Sequence, residues 1–137
     1  MSDALHLGIT LQCTAEKVYA FVRDARHLPL WAAGLASSEV SEIAPDRWAM
    51  ASPLGSVEVA FCAKNTLGVL DHEVTLADGQ RFMNPMRVVP FGPDPRYSEF
   101  SFTLFRQPGM SDADFARDRA AVEADLVTLK ALLEELP

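Results

Sequence analysis

"GMSDADFARDRAAVEADLVTLKALLEELP", Gly109 to Pro137, carries the strongest local signal in the chain. Ser111 and Asp114 form an S-x-x-D capping box, and Met110 stands where it can staple against Phe115, so the spacing predicts a helix that begins at Asp112. Phe115, Val122, Leu126, Leu129, Leu133 and Leu136 fall at steps of three, four or seven. They draw one apolar stripe along a rod about 37 Å long at 1.5 Å per residue. A rod of that length can cross a whole sheet. The stripe misses a turn around Arg119, where the face is smaller and more polar and Ala116 and Ala120 flank it. Something other than close-packed leucine is expected to fill that space.

Upstream of the rod the period is mostly two. In "LHLGITLQ", Leu5, Leu7, Ile9 and Leu11 alternate with His6, Gly8, Thr10 and Gln12, as in a half-buried strand. "CTAEKVYAFVRDARHLPLWAAGL" then switches to helical spacing. Thr14 suits an N-cap, Val18, Tyr19, Phe21 and Val22 make a stripe, Asp24 can cap a second short helix, and Pro29 sits near that helix's start. From Ser38 strands are expected around 38–43, 47–51, 56–63, 69–76, 80–89 and 97–106. "APDR", "SPLG", "ADGQ" and "PFGPDPR" supply the Pro, Asp and Gly of the reversals, which implies an antiparallel meander. Pro85 cannot donate to a ladder, so its strand either bulges there or lies at an edge, which leaves the facing of Arg87 open. No internal repeat, low-complexity tract or linker interrupts the pattern.

Size and charge exclude several functions. The 137 residues suit one domain, 1–137, able to bury roughly 68% of its unfolded surface without metal or disulfide staples. With 12 Lys+Arg against 19 Asp+Glu the formal charge is −7, which opposes nucleic acid and anionic membranes as partners. "MSDALHLGIT" lacks a basic n-region before an apolar run and no stretch approaches 18 apolar residues, so no membrane insertion and a cytoplasmic location are expected. Cys13 and Cys62 form no C-x-x-C pair, and reduced thiols are expected. His6, His27 and His72 show no metal-ligand spacing. There is no G-x-S-x-G elbow and no Walker A, and the glycines of "PLGS" and "ADGQ" belong to turns. Neither metal nor cofactor is expected. Cys62 has the outward parity of its strand and reads as an inert thiol.

A strand, two short helices ending in "HLPLW", a meander of about six strands and a long amphipathic final helix together resemble the START-like (SRPBCC) superfamily. The local texture of "AEKVYAFVRDARHLPLW", "GVLDHEV", "RVVPFG" and "FTLFRQPGMSD" is similar to its polyketide-cyclase-like branch. The resemblance covers essentially the whole chain. It implies an α+β helix-grip fold: a curved antiparallel sheet of about seven strands wrapped around the long C-terminal helix, with two short helices after the first strand. It also implies a cavity between sheet and helix that holds a hydrophobic molecule. Members of the superfamily carry lipids, bind hormones, act as aromatases or cyclases, or contact chaperones, and no universal catalytic motif unites them, so fold alone does not decide function.

The inward parity of each strand nominates the lining: Trp48 and Met50; Val57, Val59 and Phe61; Leu70, His72 and Val74; Phe82, Asn84 and Met86; and Phe100, Phe102 and Leu104. Trp31 joins them through the resemblance, because an aromatic after the short helix pair often walls the cavity. For each apolar member the competing reading is ordinary core. The binding set is therefore Trp31, Trp48, Met50, Phe61, His72, Asn84, Met86 and Phe102. His72 lies on the oily face of its strand, between Leu70 and Val74. A buried imidazole without a partner costs about 1–3 kcal/mol, so it must bond to protein, water or ligand. Both a satisfied structural histidine and a proton-moving group with an ordinary pKa of about 6.5 fit its position. Asp71 and Glu73 face away from it; Asn84 reaches it if the two strands pair in register, with Tyr19 and Arg119 more distant. Arg87 fits either a solvated guanidinium or, if Pro85 flips the parity, a buried reader of a carboxylate or phenolate.

Three functions follow. The first is binding or carriage of a small hydrophobic or aromatic ligand. The second is cyclase or aromatase chemistry in the same cavity, without metal and with His72 as the catalytic candidate. The third is an interaction module whose cavity is vestigial and whose acidic surface or edge strand meets a protein.

Overall fold

The computed structural model describes residues 3–32, 39–53 and 55–135. The expected start of a strand at Ser38, Leu54 of the "SPLG" turn and the last stripe residue, Leu136, lie outside the described residues. The order is β1 (Ala4–Leu11), α1 (Ala15–Arg23), a 3-10 turn (Ala25–His27), α2 (Leu28–Trp31), β2 (Val40–Ala44), β3 (Arg47–Ser52), β4 (Gly55–Phe61), β5 (His72–Leu76), β6 (Arg81–Asn84), β7 (Met86–Pro90), β8 (Ser98–Phe105) and α3 (Asp112–Glu135). The Thr14 hydroxyl accepts from Lys17 N to start α1, and the Asp24 carboxylate accepts from Arg26 N to start the turn that runs into α2. Both short helices follow the first strand as the period change predicts.

Among the described residues every strand pairing is antiparallel, and there are eight strands rather than about seven. Pro85 accounts for the difference. The run expected over 80–89 divides at that residue into β6, the edge of a five-stranded sheet ordered β2-β3-β4-β5-β6, and β7, the edge of a three-stranded sheet ordered β1-β8-β7. A residue without an N–H is tolerated where a strand leaves one ladder for another. Its carbonyl still accepts from Thr103 N at 3.0 Å. Asn84 is paired with His72 on β5, and two residues later Met86 is paired with Phe102 on β8. Parity survives the crossing: Met86 and Val88 are buried while Arg87 and Val89 are exposed. Arg87 is accordingly the solvated guanidinium, 3.0 Å from the Asp71 carboxylate, and not a buried reader of anions.

The strand expected over 69–76 begins only at His72, because the preceding segment turns to β7, bridging Val69 to Arg87 with Leu70 N donating to Met86 O, and is steadied by side-chain bonds. Asn65 Oδ1 accepts from Leu67 N and Val69 N, and its amide donates to Ala63 O and Val69 O. Gly68 then brings this segment against β7: its φ is +74°, Val88 N donates to its carbonyl, and a Cβ there would lie 1.9 Å from Val88 O. Only glycine fits.

Helix α3 is pinned at both ends. Ser111 Oγ accepts from Asp114 N as the capping box predicts, and Arg106 reaches Asp112 at 2.6 Å. At the other end Gln12 N donates to Glu134, while Lys130 bridges Glu134 and the Thr10 carbonyl. The buried positions are Phe115 near the start and Leu126, Leu129 and Leu133 near the end. The central stretch between these anchors lies over less densely packed ground.

Candidate functional site

That central stretch roofs a hollow of about 270 Å³, lined by Leu28, Trp31 and Ala32 of the α2 region, His72, Asn84, Met86, Phe102 and Leu104 of the strands, and Asp118, Ala121, Val122, Asp125 and Leu126 of α3. A second chamber of about 260 Å³ adjoins it and shares Asn84, Leu104 and Asp118, continuing between Val57, Val74, Leu76, Phe82 and Met110. The position follows from the fold. A straight rod held at two points over strands that change sheets at Pro85 cannot touch both sheets along its whole length.

His72 is 3% exposed and both ring nitrogens have protein partners. Nδ1 lies 3.2 Å from the Leu70 carbonyl, which can only accept, so Nδ1 carries the proton. Nε2 is left to accept from Asn84 Nδ2 at 3.4 Å, the contact that the His72–Asn84 strand register creates. Burial pushes the imidazole down to about 4, outweighing the Leu70 carbonyl and the Asp71 charge, which favour the cation. The group is a neutral imidazole near pH 7 with both ring nitrogens engaged. Tyr19 is occupied elsewhere, its hydroxyl accepting from Asn65 N and from Arg23. Arg119 pairs with Glu123 at 3.4 Å.

The helix side is acidic. Asp125 is pushed up to about 6 by burial alone, and Asp118 is raised by burial and by the neighbouring Asp114, with Arg117 opposing. The polar gap expected in the stripe around Arg119 is filled by its neighbour Asp118, and Asp125 extends the acidic face beyond Val122. A signal for them exists in the sequence. Phe115, Asp118, Val122, Asp125 and Leu129 follow one another at steps of three and four, so both acids occupy core-facing positions of the same stripe. Leu28 and Ala121 of the lining are likewise absent from the sequence-derived set.

Of that set, Trp31, His72, Asn84, Met86 and Phe102 surround the hollow. Trp31 also meets Phe100 edge-on with centroids 6.3 Å apart, and its Nε1 is buried without a partner among the described residues. Met50 and Phe61 are buried in the core and line neither chamber; Phe61 lies against the His72 ring at 5.2 Å. Trp48 faces a different space, a groove of about 690 Å³ between α1 and β2–β3 that Tyr19, Arg23, Asp24, Arg26, Glu42, Asp46 and Lys64 also line. That groove is larger than either chamber, yet its arginines already pair with its own acids: Arg23 with Asp46 and Arg26 with Asp24, each at 2.7 Å. Among the described residues no three His, Cys, Asp or Glu side chains converge as a metal set, both cysteines are free, and no helix is long and apolar enough to cross a membrane.

Comparison with known proteins agrees with this architecture. A START superfamily protein from Mycobacterium smegmatis superposes with a TM-score of 0.73 at 14% identity, over 99% of this chain and 100% of that one. A Deinococcus radiodurans protein is 24% identical, with a TM-score of 0.61 over 96% and 97% of the two chains. DynU16, a protein of the dynemicin biosynthetic locus, matches at 14% identity and a TM-score of 0.70, over 98% of this chain and 48% of that one. These likenesses establish the fold alone. No curated protein matches. Residues 11–110 match the model of one sequence family, a stretch running from the end of β1 to the approach to α3, and the chain belongs to that family, polyketide cyclase / dehydrase and lipid transport.

Proposed function

We propose that the protein binds and carries a small hydrophobic or aromatic molecule in the hollow beneath α3. The observation that carries this reading is the composition of the walls. Trp31, Met86, Phe102, Leu104 and Val122 supply an apolar lining, and a few convergent polar groups can fix one orientation of a guest. The family, whose description includes lipid transport, supports the same reading. His72 favours carriage over cyclase or aromatase chemistry, because a ring held neutral with both nitrogens engaged is poorly placed to take or give a proton.

The test is gentle extraction of the purified protein and mass spectrometry of what it releases, run beside Ala121→Phe. Ala121 is solvent-exposed and lies at the edge of the hollow, so the larger ring can block the space from the helix side without opening the core. The expected result is an apolar molecule released by the native protein and absent from the variant, with the melting temperature of the variant changed by only a few degrees, about the effect of 1 kcal/mol. Identical extracts from the two proteins would overturn the assignment of the hollow.

A further inference from the structure

Resting on the reading of the hollow as a binding site, the acidic wall narrows the class of guest. We propose that the occupant is an amphipathic amine, its apolar body among Trp31, Met86 and Phe102 and its protonated nitrogen paired with Asp125. Three observations point to a cation. First, no Lys or Arg lines either chamber among the described residues. Second, the cations of α3 pair with other acids: Arg117 with Asp114 at 3.0 Å, Arg119 with Glu123 at 3.4 Å and Lys130 with Glu134 at 2.6 Å. Third, neither Asp118 nor Asp125 has an ion pair or hydrogen bond among the described residues, although both border an oily space.

A hydrocarbon guest would strip water from the Asp125 carboxylate and offer nothing in return, and an anionic guest would be repelled. An ammonium restores the lost hydration with a charge-assisted hydrogen bond. Asp118 stands seven residues earlier, about 10.5 Å along the helix axis, too far to share one nitrogen with Asp125. It borders both chambers and deepens their negative potential. The other groups facing Asp125 do not compete for the cation's place. β5 contributes His72, which is neutral above about pH 4; β6 contributes the uncharged Asn84; and α2 contributes only Leu28, Trp31 and Ala32.

The experiment uses three probes of one shape, 2-(1-naphthyl)ethylammonium, 2-(1-naphthyl)ethanol and 1-naphthylacetate, titrated calorimetrically into the full chain and into Asp125→Asn. At pH 8 the amine is expected to bind the native protein about tenfold more tightly than the alcohol, and the acetate more weakly than either. In Asp125→Asn the amine and alcohol should bind alike, with the affinity for the alcohol changed by no more than about twofold. Acidification from pH 8 to 5 should erase the amine's advantage in the native protein as Asp125, with its pKa of about 6, takes up a proton. Equal binding of amine and alcohol by the native protein, or an amine preference that survives Asp125→Asn, would overturn the cation assignment while leaving the hollow a binding site. Failure of all three probes to bind would overturn both readings.

Discussion

On the sheet side of the hollow, His72 and Asn84 answer each other's hydrogen-bonding needs, and the Leu70 carbonyl completes the set. On the helix side, Asp118 and Asp125 meet the same oily space with no partner among the described residues. The two walls thus respond to burial in opposite ways. The imidazole gives up its charge and becomes part of the architecture, whereas Asp125 has its proton affinity raised and still carries charge above about pH 6. A wall whose polar groups are mutually satisfied holds shape; a wall with unsatisfied groups has affinity to offer a guest.

The largest expected effect tests the sheet wall. Folded His72 remains neutral down to about pH 4, while the unfolded chain protonates it near 6.5. Between those values the unfolded state binds more protons, so stability must fall as the pH falls through that window, by about 3 kcal/mol in total. His72→Phe keeps an aromatic ring against Phe61 and removes the titration. Denaturant melts from pH 7.5 to 3.5 should therefore show a shallower acid limb in the variant. An acid limb of unchanged depth would mean that His72 is solvated or already protonated in the fold.

Next in size is the bond that completes that wall. Asn84→Leu preserves the side-chain volume but leaves His72 Nε2 buried without a donor, at an expected cost of about 1–3 kcal/mol. It should also raise the exchange rate of the imidazole Nδ1 proton in NMR spectra, since the ring is then held only by the Leu70 carbonyl. Stability and exchange both unchanged would show that the 3.4 Å contact contributes nothing.

How much of this contrast is legible in the sequence differs between the walls. His72 and Asn84 can be placed together because a period of two fixes the face of each residue, and the short "ADGQ" reversal leaves little freedom in register. Parity does not say how far along a sheet a residue stands. Trp48 has the inward face, as Met50 does, yet it lies toward the end of the sheet that borders the outer groove. The crossing at Pro85 is equally hidden: the missing N–H announces an interrupted ladder, but that the chain resumes pairing on β8 depends on contacts distant in sequence. Asp118 and Asp125 escape a search for apolar periodicity because such a search counts a polar residue as a break, even when its spacing places it on the stripe.

The smallest expected effect has the opposite sign, which makes it the sharpest test of the contrast. Folded Asp125 protonates near pH 6, whereas in the unfolded chain an aspartate titrates near its ordinary value of 3.8. Between those values the folded state binds more protons, so ionisation of Asp125 weakens the fold as the pH rises and the penalty is complete above about pH 7. Asp125→Asn removes the charge at nearly constant volume. It should stabilise the empty protein at pH 8 by about 1 kcal/mol, a figure reduced below the full linkage value because the side chain is only partly buried and water screens it. At pH 3.5, where both forms of the chain carry a protonated acid, the gain should vanish. Unlike the sheet wall, where losing the Asn84 bond destabilises, the helix wall would then be shown to hold its carboxylate at the expense of stability. That is the usual sign of a residue retained for what it binds. A loss of stability in Asp125→Asn at pH 8 would instead make the carboxylate a structural partner and remove the difference between the two walls.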